Sequence, residues 1–344
     1  MPPRPTTTTT PDTHPAPPRP VVGVVVNPTA GHGRGRRAGD RTTTLLVAAG
    51  FRVVDLSAST VGDALAQARH ACADGLTALV VVGGDGMVHL GVNAVVATRT
   101  PLGIVAVGSG NDFATALGLP VHDPERAVAV LRAALTAGPR PVDAVHVTPH
   151  VPTGPADGSH HHLPTPDGPR AAGATHGGRW YAGTLSLGLD AAINATANTY
   201  RWPSGHGRYL RAVLAHLRTF IPYGYRLTTD GTVRETLGTL VAVASAPRFG
   251  GGLRIAPDAR VDDGLLHVVH AGPLSRASIV RIFPGIYRGR HVDHPAVTIT
   301  LARCVVIEAT TAGATPPVAY ADGEPVGPVP LRAEIHPGVL RILA

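Results

Sequence analysis

The sequence predicts a two-part α/β protein: an N-terminal Rossmann-like domain with a parallel sheet, and a C-terminal domain that forms a mostly antiparallel β-sandwich. Three observations carry this prediction. The chain has 344 residues, enough for two cores. Apolar strands alternate with helical segments in the first part, which is typical of a parallel sheet covered on both faces. Later strands follow one another through turns, as in a sandwich.

The N-terminal elements follow from apolar runs and the residues that interrupt them. Each strand is a run rich in Val, Leu or Ile, and helices show apolar residues at helical spacing or end at a glycine such as Gly50 or Gly75. The predicted order is strand 20–26, a glycine-rich loop 27–37, helix 41–50, strand 51–58, helix 60–75, strand 77–82, helix 87–98, strand 101–107 and helix 111–119.

The C-terminal elements are mostly strands, and Asp-Gly pairs mark turns among them. The predicted strands lie within 142–148, 179–190, 223–246, 264–271, 296–309 and 318–325, with one clear helix at 208–220.

Composition shifts set the expected domain boundaries. We expect a disordered Pro/Thr-rich tail, a first domain, a second domain with a flexible Pro/Gly/His-rich insertion, and a C-terminal segment that packs back on the first domain. Three adjacent histidines in the insertion rarely form a native metal site. The ranges are 1–20 for the tail, 21–140, 141–330 with the insertion at 149–178, and 331–344.

Composition also excludes several kinds of site. All 30 basic residues are arginine, so neither a Schiff-base lysine nor a Walker-type lysine exists here. The formal net charge of +7 suits an anionic partner such as a nucleotide or an acidic membrane surface. No RRM, zinc-finger or basic-helix pattern supports nucleic acid as a partner.

Cysteine usage and hydropathy bear on the compartment. The two cysteines, Cys72 and Cys304, form no CxxC motif, which argues against a disulfide framework and fits a reducing cytoplasm. No apolar run approaches the roughly 20 residues that a transmembrane helix needs. We therefore expect a cytoplasmic protein without a transmembrane segment.

Three loops after predicted strands share one design: NPTAGHGRGRR, GGDG and GSGND. Ligands of open parallel sheets lie beyond the carboxyl ends of the strands, where glycines let main-chain amides approach a phosphate. Asp85 could face Mg²⁺, and Ser109, Asn111 and Asp112 add polar groups at a helix start. Each loop alone could be a simple turn or helix cap, but three together favour a nucleotide site.

Those loops and later motifs resemble the catalytic domain of the diacylglycerol kinase and sphingosine kinase family, in particular the bacterial soluble lipid kinases. The matching stretches run from Val21 to the C-terminus and omit the insertion. They are NPTAG, GGDG, PLGIVAVGSGNDFATALGLP, SLGLDA, RYLRA, FGGGLRIAPDARVDDGLLHVV, GRHVDHPAV and YADGEP. GGDG also occurs in NAD kinases and phosphofructokinases, but GSGNDFA with VDDGLL and DGEP is specific.

The resemblance implies an ATP-dependent kinase that phosphorylates a lipid hydroxyl, first of all that of diacylglycerol to give phosphatidic acid. Glu324 of DGEP matches the proposed general base, and Asp85 would assist through Mg²⁺. Ser57 or Ser59 would lie near the nucleotide. By the same resemblance, residues expected to bind ATP are Asn27, Gly31, Gly83, Gly84, Asp85, Gly86, Met87, Val88, His89, Ser109, Asn111 and Asp112.

The resemblance also implies a structural Mg²⁺ site in DARVDDGLL. The carboxylate of Asp263 and the carbonyl groups of Arg260 and Leu265 would supply oxygen ligands. Without the resemblance, the same stretch is a β-turn with aspartate at its usual place.

Several residues depart from the family pattern: Ala30, Met87, His89 and Leu90 replace residues that are usually polar. Losing a hydrogen bond near the phosphates costs on the order of 1 kcal/mol. His89 could contact phosphate or be a solvated helix residue. These departures leave two alternatives open: a nucleotide-binding regulatory or lipid-sensing protein, and an NAD kinase-like enzyme.

The resemblance extends to partners and location. A kinase of this kind would take its lipid from a membrane surface, peripherally associated with the inner face of the membrane, and a homodimer is a further expectation.

Overall fold

The computed structural model of the protein describes residues 19–151, 178–199 and 206–344. Residues 152–177 of the predicted insertion, including its three adjacent histidines, and residues 1–18 of the predicted tail lie outside the described residues. The N-terminal strands and helices alternate as predicted. They are β1 Val21–Val26, α1 Ala30–Ala48, β2 Arg52–Asp55, α2 Val61–Ala73, β3 Ala78–Gly83, α3 Asp85–Val95, β4 Leu102–Ala106, α4 Asp112–Ala116 and α5 Pro124–Ala137.

The four N-terminal strands pair in parallel in the order β2-β1-β3-β4. Residues alternate between the two faces of each strand. Val22 and Val24 contact the cluster that contains residues of α1 and α5, whereas Val25 contacts the cluster that contains residues of α2 and α3. Helices therefore cover both faces of this parallel sheet, as the sequence predicts.

The later elements are mainly strands. They are β5 Arg140–Pro149, β6 Arg179–Tyr181, β7 Thr184–Gly188, α6 Leu189–Thr199, α7 His206–Thr219, β8 Tyr223–Thr229, β9 Thr232–Gly238, β10 Leu240–Ala244, β11 Leu266–Ala271, α8 Arg276–Ile286, a 3₁₀ turn Arg290–Asp293, β12 Val297–Ala302, β13 Cys304–Ala309, β14 Ala319–Ala321, β15 Glu324–Gly327 and β16 Leu331–Ile342.

Two sheets face each other in the C-terminal part. One is the antiparallel sheet β12-β11-β10-β7-β14-β15; the other consists of β5, β6, β8, β9, β13 and β16, which extend the N-terminal sheet. A shared cluster joins Leu185 and Val241 of the first sheet to Tyr225, Val305 and Leu331 of the second. The predicted fold class, a parallel α/β domain followed by a mostly antiparallel β-sandwich, is confirmed.

The strand β16 links the two parts of the molecule. It pairs antiparallel with β5 along most of its length and with β13 at its start. Its end pairs in parallel with β4 through Ile342 and Leu102, and Leu343 is fully buried beside the parallel sheet. Residues 342 and 343 are therefore part of the core of the parallel sheet.

The predicted loop 27–37 is wrong beyond its first few residues, because α1 begins at Ala30. The glycines in the first half of α1 suggested a loop, but two of them, Gly35 and Gly39, allow close packing of the helix. A Cβ atom at Gly35 would lie 2.0 Å from the carbonyl oxygen of Asn27, and one at Gly39 would lie 2.7 Å from Val26 Cγ1. Glycine lets the helix backbone rest directly on the end of β1.

Three helices were missed by the sequence prediction: α5, α6 and α8. The signals for α5 were present, since Asp123 caps the helix by accepting from the Arg126 amide and Pro124 occupies its first turn. Residues of α6 and α8 lie between glycines or prolines in sequence, so their short periodic patterns are harder to recognise.

Candidate active site

The three predicted glycine-rich loops meet at one edge of the parallel sheet, where the strand order changes direction between β1 and β3. A Cβ atom at Gly108 would lie 2.3 Å from Gly84 Cα, so the loops after β3 and β4 touch backbone to backbone. A Cβ atom at Gly31, where φ is +57°, would lie 2.2 Å from the Val107 carbonyl oxygen. All three loops therefore form one continuous rim.

Two asparagines brace this rim. Asn27 Oδ1 accepts hydrogen bonds from the amide and the hydroxyl of Thr29, at 3.0 and 2.8 Å. Asn111 adopts the left-handed conformation (φ 58°); its Oδ1 accepts from the Gly108 amide at 2.9 Å and its Nδ2 donates to the Gly108 carbonyl at 2.8 Å. The side chain of Asn111 thus holds the loop, and Ser109 is the exposed hydroxyl at its tip.

Two carboxylates lie behind the rim. Asp85, the first residue of α3, accepts from the Phe113 amide, and Asp112, the first residue of α4, accepts from the Gly251 amide at 2.7 Å. Burial raises the pKa of Asp85 from 3.8 to about 6, and repulsion from Asp112 adds to this effect. Burial also raises the pKa of Asp112, while hydrogen bonds and Arg248 oppose the rise. The carboxylates of Asp85 and Asp112 therefore place negative charge in a largely buried position behind the rim.

The turn DGEP belongs to the C-terminal part of the molecule and lies next to this rim. It joins β14 and β15 with Asp322 and Gly323 both at positive φ, 51° and 87°. The Asp322 carboxylate accepts from the main-chain amides of residues 182, 183 and 184, at 3.0–3.1 Å. Two residues later, Glu324 Oε1 lies 3.6 Å from the position that a Cβ atom on Gly86 would take. Glu324 therefore faces the GGDG loop across the cleft.

A cavity of about 300 Å³ opens beside Asp85 between the two parts of the molecule. Two buried polar atoms at its wall, Thr184 Oγ1 and Asp190 Oδ1, have no hydrogen-bond partner among the described residues. Burial raises the pKa of Asp190 to about 6. The lining residues are Asp85, Val88, Asp112, Phe113, Gly183, Thr184, Ser186, Asp190, Asn194, Arg248, Phe249, Gly250, Gly251, Leu253, Tyr320, Asp322 and Gly323.

Sequence reasoning missed Thr184, Asp190 and Arg248 as cavity residues. Asp190 offered a signal, because it is a lone carboxylate directly after the apolar run TLSLGL. Arg248 and Thr184 offered none, since only the tertiary fold brings their strand ends next to α4 and the DGEP turn.

The residues that depart from the family pattern point into the interior. Met87, His89 and Leu90 are at most 9% exposed, and Ala30 is equally buried. The prediction of His89 as a solvated helix residue is wrong, because it packs beneath the DGEP turn. Its Nδ1 lies 3.8 Å from Asp322 Oδ2 and makes no hydrogen bond within the described structure. Met87 fills the space under Gly83.

Ser57 lies two residues beyond the end of β2, and its hydroxyl accepts from the amide of Val26, the last residue of β1, at 2.9 Å. It lines a smaller cavity of about 240 Å³ between β1, β2 and α1, on the same edge of the sheet as the rim. That Ser57 or Ser59 lies near a nucleotide stays a prediction.

Asp263 occupies a turn. Its carboxylate accepts from the amides of Arg260 and Leu265, at 3.3 and 3.0 Å, and lies 3.4 Å from His267 Nε2. These neighbours are nitrogen groups that stabilise a turn without a cation. The structural Mg²⁺ site with the carbonyl groups of residues 260 and 265 therefore stays a prediction from the resemblance.

Among the described residues, no cluster of three or more His, Cys, Asp or Glu side chains is arranged to hold a metal ion. None of the described helices combines the length and apolar character that a membrane crossing requires.

Comparisons with known proteins match this chain along almost its whole length. Residues 21–147 match the diacylglycerol kinase catalytic domain, and residues 183–344 match the YegS C-terminal NAD kinase beta sandwich-like domain. A diacylglycerol kinase of Mycobacterium tuberculosis is 31% identical over 323 residues, which is 94% of each chain. One of Bacillus subtilis is 24% identical over 295 residues, covering 83% of this chain and 84% of its own.

A solved structure gives the same result for the fold. The crystal structure of a diacylglycerol kinase from Bacillus anthracis has a TM-score of 0.63 at 19% identity and covers 94% of this chain and 96% of its own. The matching domains and relatives place this protein in the class of kinases that combine a diacylglycerol kinase catalytic domain with a β-sandwich domain. Within that class, the chain belongs to the diacylglycerol kinase family of lipid kinases.

Proposed function

We propose that this protein transfers the γ-phosphate of ATP to the hydroxyl group of a neutral lipid, with diacylglycerol as the acceptor and phosphatidic acid as the product. The observation that carries this proposal is the position of Glu324, whose Oε1 lies 3.6 Å from a Cβ position on Gly86. A carboxylate from one part of the molecule thus faces a loop of main-chain amides from the other.

The rim is suited to the phosphate groups of the nucleotide. The N-terminus of α3 directs its free amides and the positive end of its dipole at the cleft, and Gly84 and Gly86 add no side chain in front of them. Asn27 and Asn111 fix the neighbouring loops, so the amides are held in place before a ligand arrives. Such preorganised donors are the main requirement of phosphoryl transfer.

Glu324 would act as the general base. Its carboxylate accepts the proton of the lipid hydroxyl while that oxygen forms a bond to the γ-phosphorus. The bond between the γ-phosphorus and the bridging oxygen breaks, and ADP leaves with the electron pair. The lipid headgroup would lie in the cavity beside Asp85, where Thr184 and Asp190 have free hydrogen-bonding capacity.

The residues present fit a catalytic Mg²⁺. Asp85 and Asp112 are close enough for their carboxylates to repel, and a divalent cation would relieve the repulsion that contributes to the raised pKa of Asp85. Two carboxylates with phosphate oxygens and water suffice, because Mg²⁺ is usually bound this way. When bound, the ion would neutralise charge on the transferred phosphoryl group.

A test uses the purified protein with ATP labelled on the γ-phosphate and a panel of diacylglycerol, monoacylglycerol, a sphingoid base and NAD. Label in phosphatidic acid is expected. Glu324→Gln should lose most of the transfer but keep ATP binding, whereas Glu308→Gln, on β13, should retain both. Label in NAD alone, or ATP binding without transfer to any acceptor, would support the NAD kinase or regulatory alternative instead.

A further inference from the structure

The helix α8 carries a stripe of apolar side chains that faces solvent. Val280 is 61% exposed, Phe283 36% and Tyr287 50%. Their spacing of three and four residues places them on one face of the helix. The rings of Phe283 and Tyr287 meet edge to face with centroids 6.1 Å apart, so the stripe is a preformed surface.

This stripe is not the face by which α8 packs on the protein. A second stripe, Ile279, Ile282 and Ile286, is partly buried, and Ile279 contacts the cluster formed by α6 and α7. Since the inner stripe already anchors the helix, the outer one is available for a partner.

The charged residues of α8 and of the residues that follow it up to Arg290 have one sign. Arg276, Arg281, Arg288 and Arg290 are exposed, and the sequence has no acidic residue between Asp263 and Asp293. None of these four arginines forms an ion pair within the described part of the chain. An apolar stripe flanked by free arginines has the composition of a helix that lies in the interface of an anionic membrane.

The helix α8 also lies between two walls of the active-site cavity. At one end, Ile279 packs on α6, which supplies Asp190 to the cavity. At the other end, the Ile286 carbonyl accepts from the Arg254 amide at 3.1 Å, and Tyr287 Cδ1 lies 4.0 Å from a Cβ position on Gly252. The adjoining residues 250, 251 and 253 line the cavity.

We propose that Val280, Phe283 and Tyr287, with Arg276, Arg281, Arg288 and Arg290, form a membrane-docking face that inserts into the headgroup region of a bilayer containing anionic lipids. Docking by this face brings the cavity to the membrane surface, so a lipid acceptor reaches it without crossing water. This second step rests on the proposed kinase function; the docking itself does not.

The test measures co-sedimentation of the full chain, without ATP, with vesicles of phosphatidylcholine alone or mixed with phosphatidylserine. Wild type should bind the mixed vesicles. Val280→Asp/Phe283→Asp should abolish binding, and Arg281→Gln/Arg288→Gln should weaken it by roughly fivefold for each arginine. The matched control is Val47→Asp on α1, an exposed valine (52%) outside the docking face, which should bind like wild type.

A second readout does not depend on the folding of the aspartate variants. The fluorescence of Phe283→Trp should be quenched more by vesicles of brominated lipid than that of Val47→Trp. Equal binding by wild type and the aspartate double variant, or equal quenching of both tryptophan variants, overturns the proposal. If wild type is a dimer, the aspartate double variant is a monomer and vesicle binding is unchanged, the face binds a second copy of the chain instead.

Failure of docking is distinguishable from failure of the kinase function. If the enzyme acts on a short-chain, water-soluble diacylglycerol but no variant affects vesicle binding, only the docking proposal fails. If vesicle binding depends on the docking face but no lipid is phosphorylated in solution or in vesicles, only the kinase proposal fails.

Discussion

Gly84 and Gly108, which follow two neighbouring strands, lie so close that a Cβ atom on Gly108 would stand 2.3 Å from Gly84 Cα and 2.9 Å from its nitrogen. Both opposing atoms belong to the backbone and cannot rotate away. The glycines of the two loops are therefore needed for contact with each other, in addition to any contact that they make with phosphate.

Gly108→Ala should displace the loop after β4 and disturb the anion-binding rim. The expected destabilisation is about 1–3 kcal/mol, the usual range for overpacking, together with a marked loss of ATP affinity. Urea unfolding and nucleotide titration measure the two effects. Gly62→Ala is the matched control, since its Cβ would meet nothing closer than 3.9 Å on α2, and it should be neutral or slightly stabilising.

Asp85→Asn should stabilise the fold while it removes transfer. Because folding raises the pKa of Asp85 from 3.8 to about 6, the ionised carboxylate opposes folding by up to about 3 kcal/mol above pH 6. As the pH falls from 6 to 4, the carboxyl of the folded protein takes up a proton and this cost disappears.

The measurement is urea unfolding at pH 8 and pH 4 without divalent ions. The variant should exceed wild type in stability at pH 8 and nearly match it at pH 4. Asp258→Asn, which removes an exposed carboxylate, should show no such gain. A destabilised Asp85→Asn at pH 8 would contradict the assignment of an unfavourable charge.

Asp322→Ala should destabilise the protein strongly, because it leaves three main-chain amides of residues 182–184 without their acceptor. At about 1 kcal/mol or more for each unsatisfied donor, the loss is about 3 kcal/mol. Transfer should fall as well, since the turn that holds Glu324 loses its anchor. Thermal unfolding with Asp258→Ala as control checks the first effect, and a wild-type transition temperature would refute it.

Leu343→Ala should destabilise the parallel sheet although Leu343 lies just beyond the last residue of β16. Leu343 is fully buried and its amide donates to the Leu102 carbonyl at 2.9 Å. Removing a buried leucine typically costs 2–5 kcal/mol. The comparison is Leu301→Ala, where the side chain is 54% exposed and the change should stay within about 0.5 kcal/mol.

The fold class could be predicted from the sequence because its signals are local. Runs such as TALVVV and the Asp-Gly turns reveal strands and hairpins without knowledge of their neighbours. Glycines misled the prediction at 30–37, where close helix packing and loop formation favour the same residue. Only the position of β1 above Gly35 and Gly39 distinguishes the two uses.

The sequence predicted which residues form the candidate site better than it predicted the contacts that they make. The sequence predicted Asp85, Asp112 and Glu324 as site residues. It did not predict that the side-chain amide of Asn111 hydrogen-bonds to Gly108, or that His89 is buried beside Asp322. Nor could it reveal the cavity wall, since Thr184, Asp190 and Arg248 are brought to Asp85 only by the sandwich. Such contacts depend on tertiary packing between distant segments.

The position of β16 has a consequence for synthesis of the chain. Because Ile342 pairs with Leu102 of β4, the parallel sheet cannot be completed until β16 has been synthesised and has left the ribosomal exit tunnel. Until then, β4 has an open edge of unpaired main-chain groups, which is the kind of surface through which nascent chains aggregate. A variant that lacks β16 would therefore have this edge permanently exposed.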